Sequence, residues 1–207
     1  MQSLTDYQIA MAHAGFRLIT IKACTVTPSA DNAEHHIGWW PDEQLAELKS
    51  SVAEYHKYSA KVLVQLHYSA IATNTEPVLD VLVQELAAAA GKCRDAGADA
   101  VEVHAQYQLL LPLIQGIKQQ VGTEYPVIVR TDDLSMLEIS SIARQLEEAG
   151  VNAILVSASS GYLRYLEEKI SNSVTLPVLL KYLLLPVTNT LTLISQRIFC
   201  RLARRMY

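Results

Sequence analysis

Four polar residues lie at or near the ends of short apolar segments that are typical of buried strands. They are Gln65, His104, Arg130 and Ser157. The Gln65 amide offers a hydrogen-bond donor and an acceptor, the His104 imidazole can donate to an oxygen, and the Arg130 guanidinium can stabilise negative charge. Because barrel enzymes collect their chemistry at the carboxyl ends of parallel strands, this placement predicts a site there.

Each of these residues also has a structural interpretation, and the residues alone leave both open. In that alternative Gln65 ties down a loop, His104 is a histidine satisfied within the fold, and Arg130 forms a surface ion pair with Asp132 or Asp133. A charge at the end of an apolar strand favours a functional role for Arg130 over a surface ion pair.

A pair of adjacent histidines, His35 and His36, lies near Asp31 and Glu34. Adjacent side chains point in different directions, and no third ligand has the spacing of a metal site. We therefore expect a solvated loop and no metal.

The elements that must position these residues alternate between strand and helix patterns. The pattern predicts strands at 16–21, 61–66, 100–104, 126–130, 152–157 and 176–180. It predicts helices at 41–58, 78–96, 109–121, 135–149 and 162–170, with a further helix at the start of the chain. Such alternation is typical of a parallel α/β sheet.

Both doubly wound sheets and (β/α)8 barrels show this alternation. No Gly-x-Gly-x-x-Gly motif follows a strand, so the dinucleotide fingerprint is absent. Together with the polar strand ends, this favours an incomplete (β/α)8 TIM-barrel-like fold. About six βα units are recognisable, with a weak seventh strand in the tail, whereas a full barrel has eight strands and about 250 residues.

Several segments, taken in order, resemble the old yellow enzyme family of FMN-dependent oxidoreductases. That family includes ene-reductases and 2,4-dienoyl-CoA reductases. The segments that carry the resemblance are Gly38–Leu45, Lys61–Leu66, Ala87–His104, Val127–Arg130 and Gln145–Ser157.

The resemblance covers roughly residues 7–180 and implies an activity and its cofactors. In the family, NAD(P)H reduces FMN, and FMN passes hydride to an activated alkene in a small enone or enoyl-type substrate. The resemblance assigns Gln65 to the pyrimidine edge of the flavin and Arg130 to the region of its N1 atom and C2 carbonyl.

The substrate side of the site departs from the family pattern. His104 matches the first member of a His-x-x-His/Asn pair that binds the substrate carbonyl, but the second member falls on Tyr107. Leu109 stands where the family has a proton-donating tyrosine, and His67-Tyr68 replaces the usual Trp-His. The resemblance thus implies a degraded active site, which leaves catalysis open.

Three family parts are expected to be absent from a chain truncated at both ends: the first strand, about two dozen residues after Leu110, and a glycine-rich phosphate site. No glycine follows Gly161. Loss of these parts leaves FMN binding open. The alternative is a non-catalytic barrel remnant that acts, if at all, through protein contacts.

Composition supports a packed core and divides the chain. Of the 207 residues, 50% are hydrophobic and 18% charged, which excludes disorder, and the net charge of −4 gives no general attraction to nucleic acid. All 21 acidic residues precede residue 169, whereas residues 169–207 carry six basic ones. We expect a partial barrel domain at 1–180 and a divergent basic tail at 181–207. The tail is interpreted either as an amphipathic basic helix or as the product of an altered reading frame.

The three cysteines, Cys24, Cys93 and Cys200, are too far apart for a disulfide framework. They favour a reduced, cytoplasmic compartment, and we identify no signal peptide. The uncharged stretch 182–196 is shorter than the roughly 20 residues of a membrane span. Contact of the basic tail with a membrane surface is a third interpretation, and open sheet edges favour a homo-oligomer.

Overall fold

The computed structural model describes residues 4–25, 42–67, 79–131, 139–158 and 160–182. Strands and helices alternate through these residues. The helices are α1 (Leu4–His13), α2 (Asp42–Lys57), α3 (Leu79–Asp95), α4 (Tyr107–Val121), α5 (Ile139–Glu148) and α6 (Ser160–Ser171). The strands are β1 (Leu18–Thr25), β2 (Lys61–His67), β3 (Ala100–His104), β4 (Val127–Thr131), β5 (Ala153–Ala158) and β6 (Val178–Tyr182).

The six strands form one sheet in which every neighbouring pair is parallel. Their order in space is β1-β2-β3-β4-β5-β6, the same as their order in the chain. A doubly wound sheet reverses its strand order at a switch point, whereas a (β/α)8 barrel does not. The α/β prediction and the choice of an incomplete TIM-barrel-like fold are therefore confirmed.

Side chains of each strand alternate between two apolar layers. On the helix side, Val62, Val64 and Leu66 of β2 are buried in the main core. On the other side, which is the barrel interior, a smaller cluster packs at the lower part of the strands. It consists of Leu63, Ala100, Ile128, Ala153 and Leu155.

A repeated Ala-Gly-x-Asp/Asn-Ala motif fixes the amino edge of the sheet before β3 and β5. The Asp99 carboxylate accepts a hydrogen bond from the Val62 amide at 2.8 Å, and the Asp99 amide donates to the Val62 carbonyl at 2.9 Å. Asn152 makes the same pair of bonds with Val127, at 2.9 and 2.8 Å. Each motif thereby clamps the start of the preceding strand.

Several element boundaries differ from the sequence prediction by one or more residues, and two of them lie beside the strand ends that carry the predicted residues. β1 continues to Thr25 rather than ending at residue 21, because it pairs with β2 as far as His67 across an irregular register between Ile21 and Cys24. α4 begins at Tyr107, two residues earlier than predicted. The pairing partner and the packing of an element set such ends, and local periodicity does not contain them.

Residues 181 and 182 of the predicted tail belong to β6, and the rest of the tail, from 183 onward, lies outside the described residues. The weak seventh strand, the amphipathic helix and the boundary between 1–180 and 181–207 therefore stay predictions. Within the part of the chain that the structure describes, no helix has the length and apolar character needed to cross a bilayer.

Candidate active site at the carboxyl edge of the sheet

The sequence-predicted residues meet where β2, β3 and β4 end side by side. The strand register places His67 opposite His104, and His104 opposite Arg130. One step toward the amino edge, Gln65 lies opposite Glu102. All five are on the side of the strands that faces the barrel interior, since they alternate with residues of the outer core.

The lower row of the site is a buried polar pair. Gln65 is 6% exposed and Glu102 3% exposed, and Gln65 Nε2 donates a hydrogen bond to Glu102 Oε1. The structural alternative for Gln65 expected a bond to a loop. The bond instead crosses to the neighbouring strand, β3. An amide has two N–H groups, so one N–H and the carbonyl oxygen of Gln65 are not used by this bond.

Glu102 is a site residue that the sequence analysis missed. Its signal was a charged residue inside the apolar strand Ala100–His104, where burial of a carboxylate needs a compensating partner. On the other side of Glu102, its register partner on β4 is Ile128, which is apolar and buried.

The upper row consists of His67, His104 and Arg130, each partly exposed at the carboxyl edge. The imidazole rings of His67 and His104 have centroids 4.6 Å apart and planes inclined by 34°. Arg130 follows on the next strand. The row therefore presents two imidazoles and a guanidinium, which favour ligands with acceptor oxygens or negative charge.

Tyr107 is the first residue of α4, three positions after His104. The backbone thus begins a helix beside the end of β3, but the Tyr107 side chain is outside the described part of the structure. Its expected role as the second carbonyl donor stays a prediction.

Other candidates lie elsewhere or outside the described residues. His35, His36 and the proposed Arg130 partners at 132 and 133 fall in the undescribed segments. Cys24 belongs to β1 and Ser157 to β5, though the structure describes neither side chain. Among the described residues, no group of three His, Cys, Asp or Glu side chains is arranged to hold a metal ion.

A second buried charge, Lys118, lies near the amino edge and has a structural role. Its ammonium donates to the carbonyls of Thr123 at 3.0 Å and Tyr125 at 2.9 Å, and to Asn152 Oδ1 at 3.1 Å. Burial lowers the pKa of Lys118, although Glu124 acts in the opposite direction. These bonds hold the connection from α4 to β4 against the start of β5.

The curated relatives are oxidoreductases by name. The chain is 24% identical to an NADH oxidase of Thermoanaerobacter brockii, in an alignment covering 86% of this chain and 39% of the relative. It is 27% identical to an NADPH dehydrogenase of Listeria monocytogenes over 51% of this chain and 38% of the relative. No family model matches the chain.

Solved structures share the fold at low sequence identity. A 2-naphthoyl-CoA reductase in complex with 2-naphthoyl-CoA matches with a TM-score of 0.75 at 14% identity, over 86% of this chain and 40% of that one. Morphinone reductase in complex with tetrahydroNAD matches with a TM-score of 0.72 at 17% identity, over 99% of this chain and 75% of that one.

The chain spans less than two fifths of the length of the two curated relatives described above. The alignment with the NADH oxidase is 255 positions long, more than the 207 residues of the whole chain. That relative therefore has internal residues that this chain lacks. The comparison does not assign them to the predicted gap after Leu110, which stays a prediction.

Proposed function

We propose that this chain is an NAD(P)H-dependent flavin oxidoreductase of the old yellow enzyme type that acts on an activated alkene. The observation that carries the proposal is the common carboxyl edge on which Gln65, His104 and Arg130 lie on three neighbouring strands. The resemblance assigns these same residues to flavin and substrate. Relatives named NADH oxidase and NADPH dehydrogenase support NAD(P)H as the reductant.

The residues present fit the pyrimidine end of FMN. When bound, FMN supplies the hydride carrier between NAD(P)H and an alkene. Gln65 would hold the pyrimidine edge with the N–H and carbonyl oxygen that its bond to Glu102 leaves available. Arg130 would place a fixed cation beside the flavin and stabilise its reduced, anionic form.

His104 is the proposed binding residue for the substrate. A hydrogen bond from its imidazole to the carbonyl oxygen of an enone or enoyl-type substrate would withdraw electrons from the conjugated alkene. That polarisation makes the β-carbon a better hydride acceptor. The resemblance assigns Tyr107 as a second donor to the same oxygen.

Three further features belong to this proposal. The protein acts in the cytoplasm, as the widely spaced cysteines indicate. It forms a homo-oligomer that covers the outer strands of the sheet. Its catalytic part corresponds to residues 1–180, with the basic tail at 181–207 as an addition.

The test is FMN retention. The purified full chain is incubated with FMN, desalted and examined for flavin absorbance. We expect the wild type to stay yellow, and Arg130→Ala and Gln65→Ala to raise the Kd for FMN about tenfold each, because each loses hydrogen bonds to the flavin. Arg144→Ala is the matched control, since Arg144 is exposed on α5.

The outcomes separate the proposal from its alternative. A wild-type chain that emerges colourless contradicts the oxidoreductase and favours the non-catalytic barrel remnant. A yellow Arg130→Ala variant with wild-type Kd and wild-type flavin reduction contradicts the assignment of Arg130, while leaving flavin binding itself intact.

A further inference from the structure

The two imidazoles of the upper row come from different strands. His67 ends β2 and His104 ends β3, and the register places them directly opposite each other. Their centroid separation of 4.6 Å is within the range of paired rings. The residues two positions earlier on the same faces, Gln65 and Glu102, are buried in the barrel interior. The pair therefore forms the upper boundary of that interior.

Contact between the two ring faces does not by itself require imidazoles. A ring pair of this kind contributes through its faces, which two phenylalanines would supply equally well. Imidazole edges add N–H donors and ring nitrogens that lose solvation when partly buried. Arg130 on the far side of His104 adds a third donor group to the same row. The chemistry of the row is thus that of a site for an acceptor oxygen.

We propose that His67 and His104 form a cross-strand imidazole pair that binds one acceptor oxygen of a small organic ligand, a carbonyl or carboxylate oxygen. The proposal rests on the proposed function and deepens it. It adds His67 on β2 as a donor to the oxygen that His104 binds on β3.

The row beneath helps to place the ligand oxygen. Glu102 is 3% exposed and lies one step toward the amino edge from His104. Glu102 Oε1 already accepts the hydrogen bond from Gln65 Nε2, and an acceptor oxygen does not bind another acceptor oxygen. The ligand oxygen is therefore held at the upper row, with the rest of the ligand toward the open carboxyl edge.

A binding experiment tests the pair without FMN. The full chain, labelled with ¹⁵N-histidine and kept in EDTA, is titrated with sodium acetate and, separately, with cyclohex-2-enone, while sodium chloride holds ionic strength constant. We expect the His67 and His104 resonances to shift together and to saturate with one shared Kd. A response to acetate alone assigns a carboxylate oxygen, and a response to the enone alone assigns a carbonyl oxygen. If neither probe moves the His67 resonances, the proposal is overturned.

Variants separate binding from packing. His67→Phe keeps a flat ring beside His104 but removes the donors, and we expect the Kd of the responding probe to rise about fivefold to tenfold. His67→Gln keeps an N–H donor, so its Kd for the same probe should lie between those of the wild type and His67→Phe. His13→Phe is the matched control, because His13 ends α1 and contacts the Tyr58 ring edge-on. Wild-type affinity in a folded His67→Phe variant overturns the proposal.

The FMN-loaded chain supplies the second measurement. His67→Phe should raise KM for cyclohex-2-enone by a similar factor, whereas the His13→Phe control should leave both this KM and flavin reduction by NADPH unchanged. If the wild type binds no FMN, the proposed function fails, yet the titration still decides whether the imidazole pair binds an oxygen ligand.

Discussion

The Asp99 carboxylate joins the amino ends of β2 and β3. It accepts hydrogen bonds from Lys61 Nζ at 2.9 Å, the Val62 amide at 2.8 Å and His56 Nε2 at 2.7 Å. Burial opposes ionisation of Asp99, but these three bonds outweigh it, so the pKa of Asp99 lies below its usual value. A lowered folded-state pKa means that the ionised carboxylate stabilises the folded chain.

We predict that Asp99→Asn lowers the free energy of unfolding at pH 7 by about 0.5–1 kcal/mol, since Lys61 and His56 are about 40% exposed and screened by solvent. An amide oxygen keeps the bond to Val62, as Asn152 does with Val127. The contribution of the charge is present above the unfolded pKa of about 3.9 and is lost as pH falls through the lower folded pKa. Urea unfolding from pH 7 to pH 3 measures it, and curves that stay parallel throughout would contradict this account.

The sequence placed Gln65, His104 and Arg130 at or near the ends of apolar strands, and the strand register brings these positions together. Their roles stay predictions. Glu102 and the pairing of His67 with His104 were missed, because they depend on which residues the register places opposite each other. A strand pattern specifies a face but not a cross-strand neighbour.

Helix ends show how local chemistry sets an element. α3 ends before Gly97, whose φ is +91°, and the Ala98 amide then donates to the Cys93 carbonyl at 3.0 Å. α2 ends in the same way, with the Ala60 amide donating to the Tyr55 carbonyl at 3.3 Å. Ser59, with φ of 59°, occupies the position that glycine holds after α3.

We predict that Ser59→Gly stabilises the chain by about 0.5–1 kcal/mol, because glycine adopts a left-handed conformation without the steric penalty of Cβ. Thermal or urea unfolding measures the change. Ser50→Gly, in the exposed middle of α2, is the matched control and should destabilise by about 0.5 kcal/mol. Equal effects of the two substitutions would refute the role given to the Ser59 conformation.

The α3–α4 contact depends on a glycine. A Cβ at Gly116 of α4 would lie closer than 3.0 Å to Val83 Cγ1 of α3. We predict that Gly116→Ala destabilises the chain by about 1–3 kcal/mol through this overlap, despite the higher helix propensity of alanine. Urea unfolding measures the loss, and Val83→Ala in the same chain should recover part of it.

Gly91→Ala is the matched control for this contact. A Cβ at Gly91 would lie 3.1 Å from Gln120 Nε2, the end of a flexible side chain that can move aside. The gain in helix propensity should then leave the chain as stable as the wild type or more so. A Gly116→Ala variant as stable as Gly91→Ala would show that the helices do not approach as described.

The elements were largely predictable, because apolar periodicity and C-terminal glycines such as Gly97 and Gly122 mark them locally. The extension of β1 to Thr25 was not predictable, since it follows from pairing with β2. Local patterns therefore identified the elements, and tertiary pairing determined where they end.

For the whole molecule, the strand order separates two folds that share one alternating pattern. The alternation alone fits a doubly wound sheet as well as a barrel, other features of the sequence favoured the barrel, and the unbroken order from β1 to β6 confirms it. The direction of each crossover relative to the previous one is a property of packing. No motif within a single strand or helix contains it.

The outer strands lead to a prediction about assembly. Within the described residues, β1 pairs only with β2, and β6 only with β5. Unpaired strand edges attract other strands. We predict that the full chain sediments as a dimer or larger species at micromolar concentration, and sedimentation velocity measures this directly. A single monomeric species across the concentration range would contradict the predicted homo-oligomer.

Anaerobic stopped-flow absorbance of the FMN-loaded chain tests the proposed activity most directly. We predict that NADPH or NADH bleaches the absorbance of the bound oxidised flavin, and that cyclohex-2-enone, mixed in afterwards, restores it. Restoration should be slower in a His104→Ala variant, which keeps Gln65 and Arg130, the residues proposed to hold the flavin. Bound flavin that neither nucleotide bleaches, or reduced flavin that the enone does not reoxidise, would contradict the proposed oxidoreductase.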